Sequence, residues 1–513
     1  MSTDTARIAK NTLFLYFRMF VSLGISLLTA GVTLRMLGKV DYGLYAVLGG
    51  VVAMFSFLNG SLSGAASRNI TFELGRGDLE KVNQIFNVSL VVFVGLAAAI
   101  VILSETVGLW FFYNKMVIPP DRLHVAFWVL QLSIVSVPLN LTQVPYGAVI
   151  VAHENMKIYA YVSIADSVVR LLIIYGLFIS PFDKLLTLAV LHFLWGVCTV
   201  VFYRIYCIRH YVETRLRWCG DKGLYKSIVQ YAGSDLIGCL SCMAQGQGFN
   251  LLLNTFFGPV VNAARGIAYG LQGMTTQFSG NFMTAVYPQI IKSFAQGDQA
   301  GMWRLVRRST CFSYYLVWLL ALPAWLEGDY VLRLWLGNYP EHTLPFFHLI
   351  VVVCLLETVK NPIVKVVHAN GKLLLGNLTA GTVLCLSFPV AYVFLRCGYP
   401  PETVFWCTIG SLMITNVIDW FVVRHYMPFD ILGYVTAVYG RCLLVTAVST
   451  AIPALVYSRI MPPSFVRMIL TGIMTTVTVG LSALYLGMSR ADRQKLFAIA
   501  AEKLCQLRRG VFK

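Results

Sequence analysis

The stretch "FELGRGDLEKV", Phe72 to Val82, carries a Gly-Asp pair at Gly77 and Asp78, and "SFAQGDQAGMW", Ser293 to Trp303, repeats it at Gly297 and Asp298. The two aspartates are 220 residues apart, and at that shift further identities appear at Gly38/Gly258, Val40/Val260, Gly50/Gly270, Met54/Met274, Gly60/Gly280, Ala65/Ala285 and Ile70/Ile290. The shared glycines mark one turn, the middle of the next helix and the following turn in each copy. The two Gly-Asp turns are therefore equivalent parts of two related halves. A weaker echo links "VPYGAVIVAHENMK" (Val144 to Lys157) with "NPIVKVVHANGK" (Asn361 to Lys372) at a slightly shorter shift.

Composition says where these halves reside. The 513 residues are 58% hydrophobic and 12% charged, with mean hydropathy +0.71, too apolar for a soluble globular chain. Apolar runs of about 20 residues, the length that crosses a bilayer, number about fourteen, from Thr12–Met36 and Tyr42–Ser63 to Ile431–Tyr457 and Phe465–Leu486. The expected architecture is an all-α integral membrane protein with two parallel six-helix repeats and a C-terminal helix pair. Its expected divisions are a lobe over 1–215, a second over 216–428, the extra pair over 429–488 and a basic tail over 489–513.

The net charge of +17 invites a nucleic-acid reading. Threading the chain through fourteen spans with the N-terminus inside puts most Lys and Arg on the cytoplasmic side, and the positive-inside rule accounts for that bias. The same threading places Arg76-Gly77-Asp78 in the cytoplasm, which removes an adhesion role. The first apolar run is too long for a cleaved signal and carries Arg18. Twelve cysteines are scattered through helices, and the lone Cys239/Cys242 pair has no second pair to complete a zinc site. No HExxH or Walker sequence is present, and the external segments are too short for a membrane polymerase or ligase.

Two parallel repeats joined by a basic linker, Arg204 to Lys226, imply halves that rock around a shared cavity. Polar stripes at helical spacing supply its candidate lining: Asn59 in the second span, Asn140 in the fourth, Gln245 in the seventh with Ser234, Gly238, Ser241 and Gly248, and Gln272 in the eighth. Such stripes face either a wet cavity or a neighbouring helix.

The basic residues inside spans are Arg18, Arg170, Arg265, Lys360 and Arg441, each costing about 2.5–3.5 kcal/mol at a helix centre on insertion scales. Asp166 stands one turn before Arg170 and Glu357 three residues before Lys360, so local ion pairs are the simplest reading there. Arg441 can snorkel. Arg18 and Arg265 have no acid within helical reach and are the leading anion contacts, with Lys365 a weaker one. Asp166, Asp235 and Glu357 are candidate coupling or pairing acids. The tail, with Leu496, Ile499, Leu504 and Leu507 on one face, reads as an amphipathic segment on the inner leaflet.

The repeat pattern, the first helix and above all "LRMLGKVDYGLYAV" (Leu34 to Val47) resemble the polysaccharide transporters, the O-antigen and capsule repeat-unit flippases, of the multidrug/oligosaccharidyl-lipid/polysaccharide exporter superfamily. That resemblance implies a V-shaped pair of lobes and alternating access. It further implies movement of an undecaprenyl-pyrophosphate-linked oligosaccharide across a bacterial inner membrane, with cleft cations meeting the pyrophosphate. Arg18, Arg170 and Arg265 are the positions able to do so, since arginine pairs two donors with phosphate oxygens. The implied partners are the lipid-linked oligosaccharide, membrane lipids and polysaccharide polymerase machinery. No cofactor is expected beyond a coupling proton or sodium ion. A lipid-linked peptidoglycan precursor flippase and a cation-coupled multidrug antiporter are the rival readings.

Overall fold

A computed structural model of the chain describes residues 56–114, 118–457 and 464–488, together with 11–22, scattered positions between 24 and 41, and 493–494. Part of the first expected span, most of the second and nearly all of the basic tail lie outside the described residues. The helices are α1 (Ser56–Arg76), α2 (Leu79–Leu103, carried on through a wide turn into Leu109–Asn114), α3 (Leu123–Ala152), α4 (Met156–Gly176), α5 (Lys184–His210), α6 (Lys222–Phe257) and α7 (Pro259–Ala295). They continue as α8 (Gln299–Leu326), the short α9 (Gly328–Leu336), α10 (Thr343–Asn370), α11 (Leu374–Arg396) and α12 (Thr403–Tyr426). The last two are α13 (Ile431–Val435, carried on through a wide turn into Arg441–Tyr457) and α14 (Phe465–Ser482). The third to fourteenth expected spans each coincide with a helix. Ten helices among the described residues are long and apolar enough to cross a membrane.

The chain forms two compact units. One comprises Met1–Leu240, Thr284–Met302 and His368–Asn377; the other comprises Ser241–Met283, Trp303–Val367 and Leu378–Lys513. The first has an apolar core in which Phe112, Leu130, Ile134, Ile174, Leu177 and Leu188 pack together. In the second, Ala264, Ala268, Phe346, Ile350, Phe405 and Ile409 form one cluster, and Phe249, Leu253, Ala391 and Leu395 another. Helix α13 is tied to α8 by Tyr314 to Thr446 at 2.8 Å, Trp318 Nε1 to Ser449 at 2.9 Å and Thr310 to Tyr434 at 3.1 Å.

The repeated Gly-Asp turns have the same geometry. Gly77 and Gly297 adopt φ of +80° and +76°, the left-handed conformation that a residue without Cβ enters freely. Gly77 N–H bonds Leu74 O and Asp78 N–H bonds Glu73 O. In the second copy Gly297 N–H bonds Phe294 O and Asp298 N–H bonds Ser293 O. This is the Schellman ending, which satisfies the last carbonyls of α1 and α7. Each aspartate then caps the next helix, Asp78 accepting from Lys81 N–H at 3.0 Å and Asp298 from Gly301 N–H at 2.8 Å. The backbone hydrogen bond from the Lys81 N–H is the main cause holding the Asp78 carboxyl below its ordinary range.

Within the first unit the two repeat-equivalent helix ends pack on one another. A Cβ on Gly75 would stand 3.0 Å from Lys292 Cα and 3.2 Å from Ala295 Cβ, and Ala295 is the 220-residue counterpart of Gly75. Phe72 and Phe294 pack beside them as a tilted pair, with centroids 6.2 Å apart. Gly75→Val should therefore lower stability by about 1–3 kcal/mol through overpacking. Gly95→Val, where a Cβ meets nothing within 4 Å, should change it far less. Thermal unfolding of the detergent-purified variants checks the contrast.

Candidate functional site

In the first unit the polar residues gather at the turns. Glu154 sits at φ +59° in a Schellman ending at the close of α3, and after α10 Gly371 is likewise left-handed, at φ +84°, with its N–H bonded to His368 O. The two positions are 217 residues apart. A glutamate there carries a strain of about 1–2 kcal/mol that glycine avoids. What holds it is the side chain: the buried carboxylate accepts from Lys292 Nζ and from Gln289 Nε2, both at 2.6 Å. Asn11 Nδ2 bonds the Glu154 carbonyl at 3.0 Å. At the counterpart turn, Arg68 donates to the Ala369 carbonyl at 2.7 and 3.2 Å. A Cβ on Gly371 would lie 2.9 Å from the Arg68 guanidinium. The ends of α1 and α7 thus each grip the turn at 369–371 or at 154, in a pseudo-symmetric arrangement.

Of the expected cations in this unit, Arg170 makes the local ion pair with Asp166 at 2.9 Å, and Asp166 also accepts from Trp195 Nε1 at 2.9 Å. Arg18 lies half-buried over the Tyr159 ring at 5.0 Å. Asp235 meets His368 Nε2 at 3.7 Å, and the other ring nitrogen of that histidine is 3.0 Å from Tyr231 OH. Asn140 donates to the Ser136 carbonyl of its own helix and is exposed. Asn59 falls within α1, but its side chain lies outside what is described.

The second unit holds a buried cation with no acidic partner among the described residues. Arg265 on α7 is 4% exposed. It donates to Asn250 Oδ1 and to the Gly246 carbonyl at 3.2 Å, and its guanidinium carbon lies 4.1 Å from the Tyr269 ring centroid. No carboxylate reaches ion-pair distance of it among the described residues, and its Nε is buried without a partner. An ionised guanidinium so placed leaves a full positive charge to be met by something else.

The pairing of Glu357 with Lys360 expected from their spacing does not occur. Glu357 accepts from Gln272 Nε2 at 2.9 Å, while Lys360 donates to Thr415 at 2.7 Å and lies 3.6 Å from Asp419. A three-residue offset permits contact, but the partners on α7 and α12 present better geometry. Lys365 is half-buried near the end of α10.

The polar stripe on α6 is a helix seam. Asn377 on α11 donates to Ser234 O at 2.8 Å, and a Cβ on Gly238 would meet Asn377 at 3.0 Å. Further along, Gly381 faces Ser241, Gly248 faces Phe388, and Gln245 donates to Ser387 and Ser411 at 2.7 and 3.1 Å. Small residues at this spacing let the two backbones approach. Among the described residues no cluster of three or more His, Cys, Asp or Glu has the arrangement of a metal site.

Sequence reasoning passed over Glu154 and Arg68. The available signal was the alignment of Glu154 with Gly371, where a non-glycine stands at a position whose partner copy needs a left-handed residue.

No protein-family model matches the chain, and no curated protein sequence matches it. Solved structures do. A MATE transporter in the bent conformation aligns at TM-score 0.70 and 12% identity, over 82% of this chain and 95% of that one. An outward-facing multidrug resistance MATE family transporter of the MOP superfamily aligns at 0.69 and 12%, over 82% and 95%. A MOP superfamily transporter from Pyrococcus furiosus, described as having a binding pocket of reverse polarity, aligns at 0.66 and 14%, again over 82% and 95%. This multi-pass, all-helical chain has the two-lobed fold of the MATE transporters of the MOP superfamily.

Proposed function

We propose that this protein is a transporter that moves an anionic, lipid-linked oligosaccharide, an undecaprenyl-pyrophosphate repeat unit, from the cytoplasmic to the periplasmic leaflet of a bacterial inner membrane by alternating access. The observation that carries the reading is Arg265, a buried guanidinium with an unused Nε–H and, among the described residues, no carboxylate beside it. A pyrophosphate supplies the missing charge and planar acceptors for a forked donor. Arg18, whose guanidinium lies over the Tyr159 ring, is the matching cation of the first half. Arg170 and Lys360 already have acidic partners and act as structural charges or relays. No covalent chemistry is required, and a proton or sodium ion is the only co-substrate. In this reading residues 1–215 and 216–428 are the working halves, both termini are cytoplasmic, and the exported unit passes to polymerase machinery.

The Pyrococcus furiosus transporter, whose reverse-polarity binding pocket is described as suggesting a different function, gives the fold a precedent for a change of cargo. Deleting the gene in its native host tests the proposal. Accumulated undecaprenyl-pyrophosphate oligosaccharide with lost surface polysaccharide is the expected result. Accumulated peptidoglycan precursor would point to the rival flippase. Unchanged lipid intermediates, in a strain making the precursor and lacking redundant transporters, would favour a multidrug antiporter.

A further inference from the structure

The segment between α5 and α6 is short, and both flanking helices qualify as membrane spans. Residues 211–221 therefore start and end on the same side of the membrane, and at about 3.5 Å per residue they stay near the helix ends they join. Instead of looping freely, the segment is clamped to the start of α2. Asn83 Nδ2 donates to the carbonyls of Glu213 and Arg215 at 2.7 and 2.8 Å. Asn87 donates to the Arg215 carbonyl at 3.2 Å and accepts from Arg217 N–H at 3.1 Å. The Asn87 amide thus binds the backbone as a neighbouring strand would, holding 215–217 extended.

What this clamp displays is unusual for a loop. Trp218 is 87% exposed, Leu216 67% and Val212 66%. Side chains alternate along an extended chain, so Leu216 and Trp218 share one side while Arg215 and Arg217 share the other. The acids of the segment are already engaged. Glu213 is buried, with His153 Nε2 3.0 Å away, and Asp221 accepts from Gly223 N–H at 2.8 Å at the start of α6. Burial pushes the Glu213 carboxyl up, but the His153 hydrogen bond and a backbone N–H outweigh it and hold the group below its ordinary range. Arg209, Arg215, Arg217, Lys222 and Lys226 are exposed and make no ion pair among the described residues, and they outnumber the two acids, so the segment carries net positive charge.

We propose that Arg215–Trp218 is a lipid-docking surface, in which Leu216 and Trp218 enter the bilayer interface and Arg215 and Arg217 take the phosphates of anionic headgroups. Tryptophan favours that depth, and each basic residue adds to the attraction for an anionic leaflet. The occupant is lipid because the patch is cationic, rigid and kept near the ends of its flanking membrane helices. This surface is independent of the transported substrate.

The test uses the full chain in vesicles. Trp218 emission is isolated as the difference between the wild-type protein and Trp218→Phe, while the mole fraction of phosphatidylglycerol in phosphatidylcholine is raised. The expected result is that acyl-brominated lipid at least halves the difference emission and aqueous iodide barely alters it. In Arg215→Gln/Arg217→Gln the phosphatidylglycerol fraction needed for half-maximal quenching should rise roughly tenfold. Quenching by iodide at every lipid composition would overturn the proposal. So would shielding from both quenchers, which would mean that protein covers the patch, or indifference to the anionic fraction.

Discussion

Arg265→Ala is expected to lower transport by roughly ten- to a hundredfold, the equivalent of losing charge-assisted hydrogen bonds worth about 1.5–3 kcal/mol. On the proposed function, removing the guanidinium would leave an anionic headgroup without its counter-charge in a buried site. Arg265→Lys should fall between, because an ammonium keeps the charge but not the fork. The rival explanation is structural, since Arg265 also donates to Asn250 and to the Gly246 carbonyl. Asn250→Ala separates the two: it takes away the structural acceptor and leaves the charge. Near wild-type transport in Asn250→Ala beside a large loss in Arg265→Ala, at equal expression and melting temperature, is the expected pattern. Equal losses in both would assign Arg265 to helix packing.

The largest stability effect should come from the far end of the second unit. Glu327 follows α8 and is 2% exposed. Arg467, in the first turn of α14, donates to both its oxygens at 3.0 and 2.9 Å, and Thr471 adds a third hydrogen bond at 3.0 Å. This bidentate pair fixes the closing helix pair to α8. Breaking it from one side strands a buried charge, so Arg467→Ala should cost about 3–5 kcal/mol. Replacing both partners with apolar residues of similar volume, Glu327→Leu with Arg467→Met, should restore most of that. Thermal unfolding in detergent reads the cycle. A double variant no more stable than Arg467→Ala would mean that the hydrogen bonds themselves, and not the stranded carboxylate, dominate.

The fold was legible because its signals are local and repeated. The Gly-Asp turns combine a residue that enters φ > 0 freely with one that caps a helix, and both copies keep that chemistry at one shift. Pairing across helices was not legible. Glu357 and Lys360 satisfied the helical spacing rule yet chose Gln272 and Asp419, because spacing states what is allowed and neighbouring helices decide what is better. The stripe through Ser234 and Gln245 was compatible with cavity or seam until Asn377, Gly381 and Phe388 appeared opposite it. Glu327 and Arg467, 140 residues apart, carry no local mark of their partnership. Asp166 and Arg170 were readable because the partner lies one turn away on the same helix.

The most direct measurement is translocation by the purified protein in proteoliposomes that contain a fluorescent undecaprenyl-pyrophosphate oligosaccharide, scored by protection from an external glycan-modifying enzyme. A lipophilic cationic dye is offered to the same vesicles in a parallel assay. Protein-dependent movement of the oligosaccharide lipid, lost in Arg265→Ala, with no dye transport is the expected result. Dye transport driven by a cation gradient, with the oligosaccharide lipid immobile, would contradict the account and assign the protein to drug export.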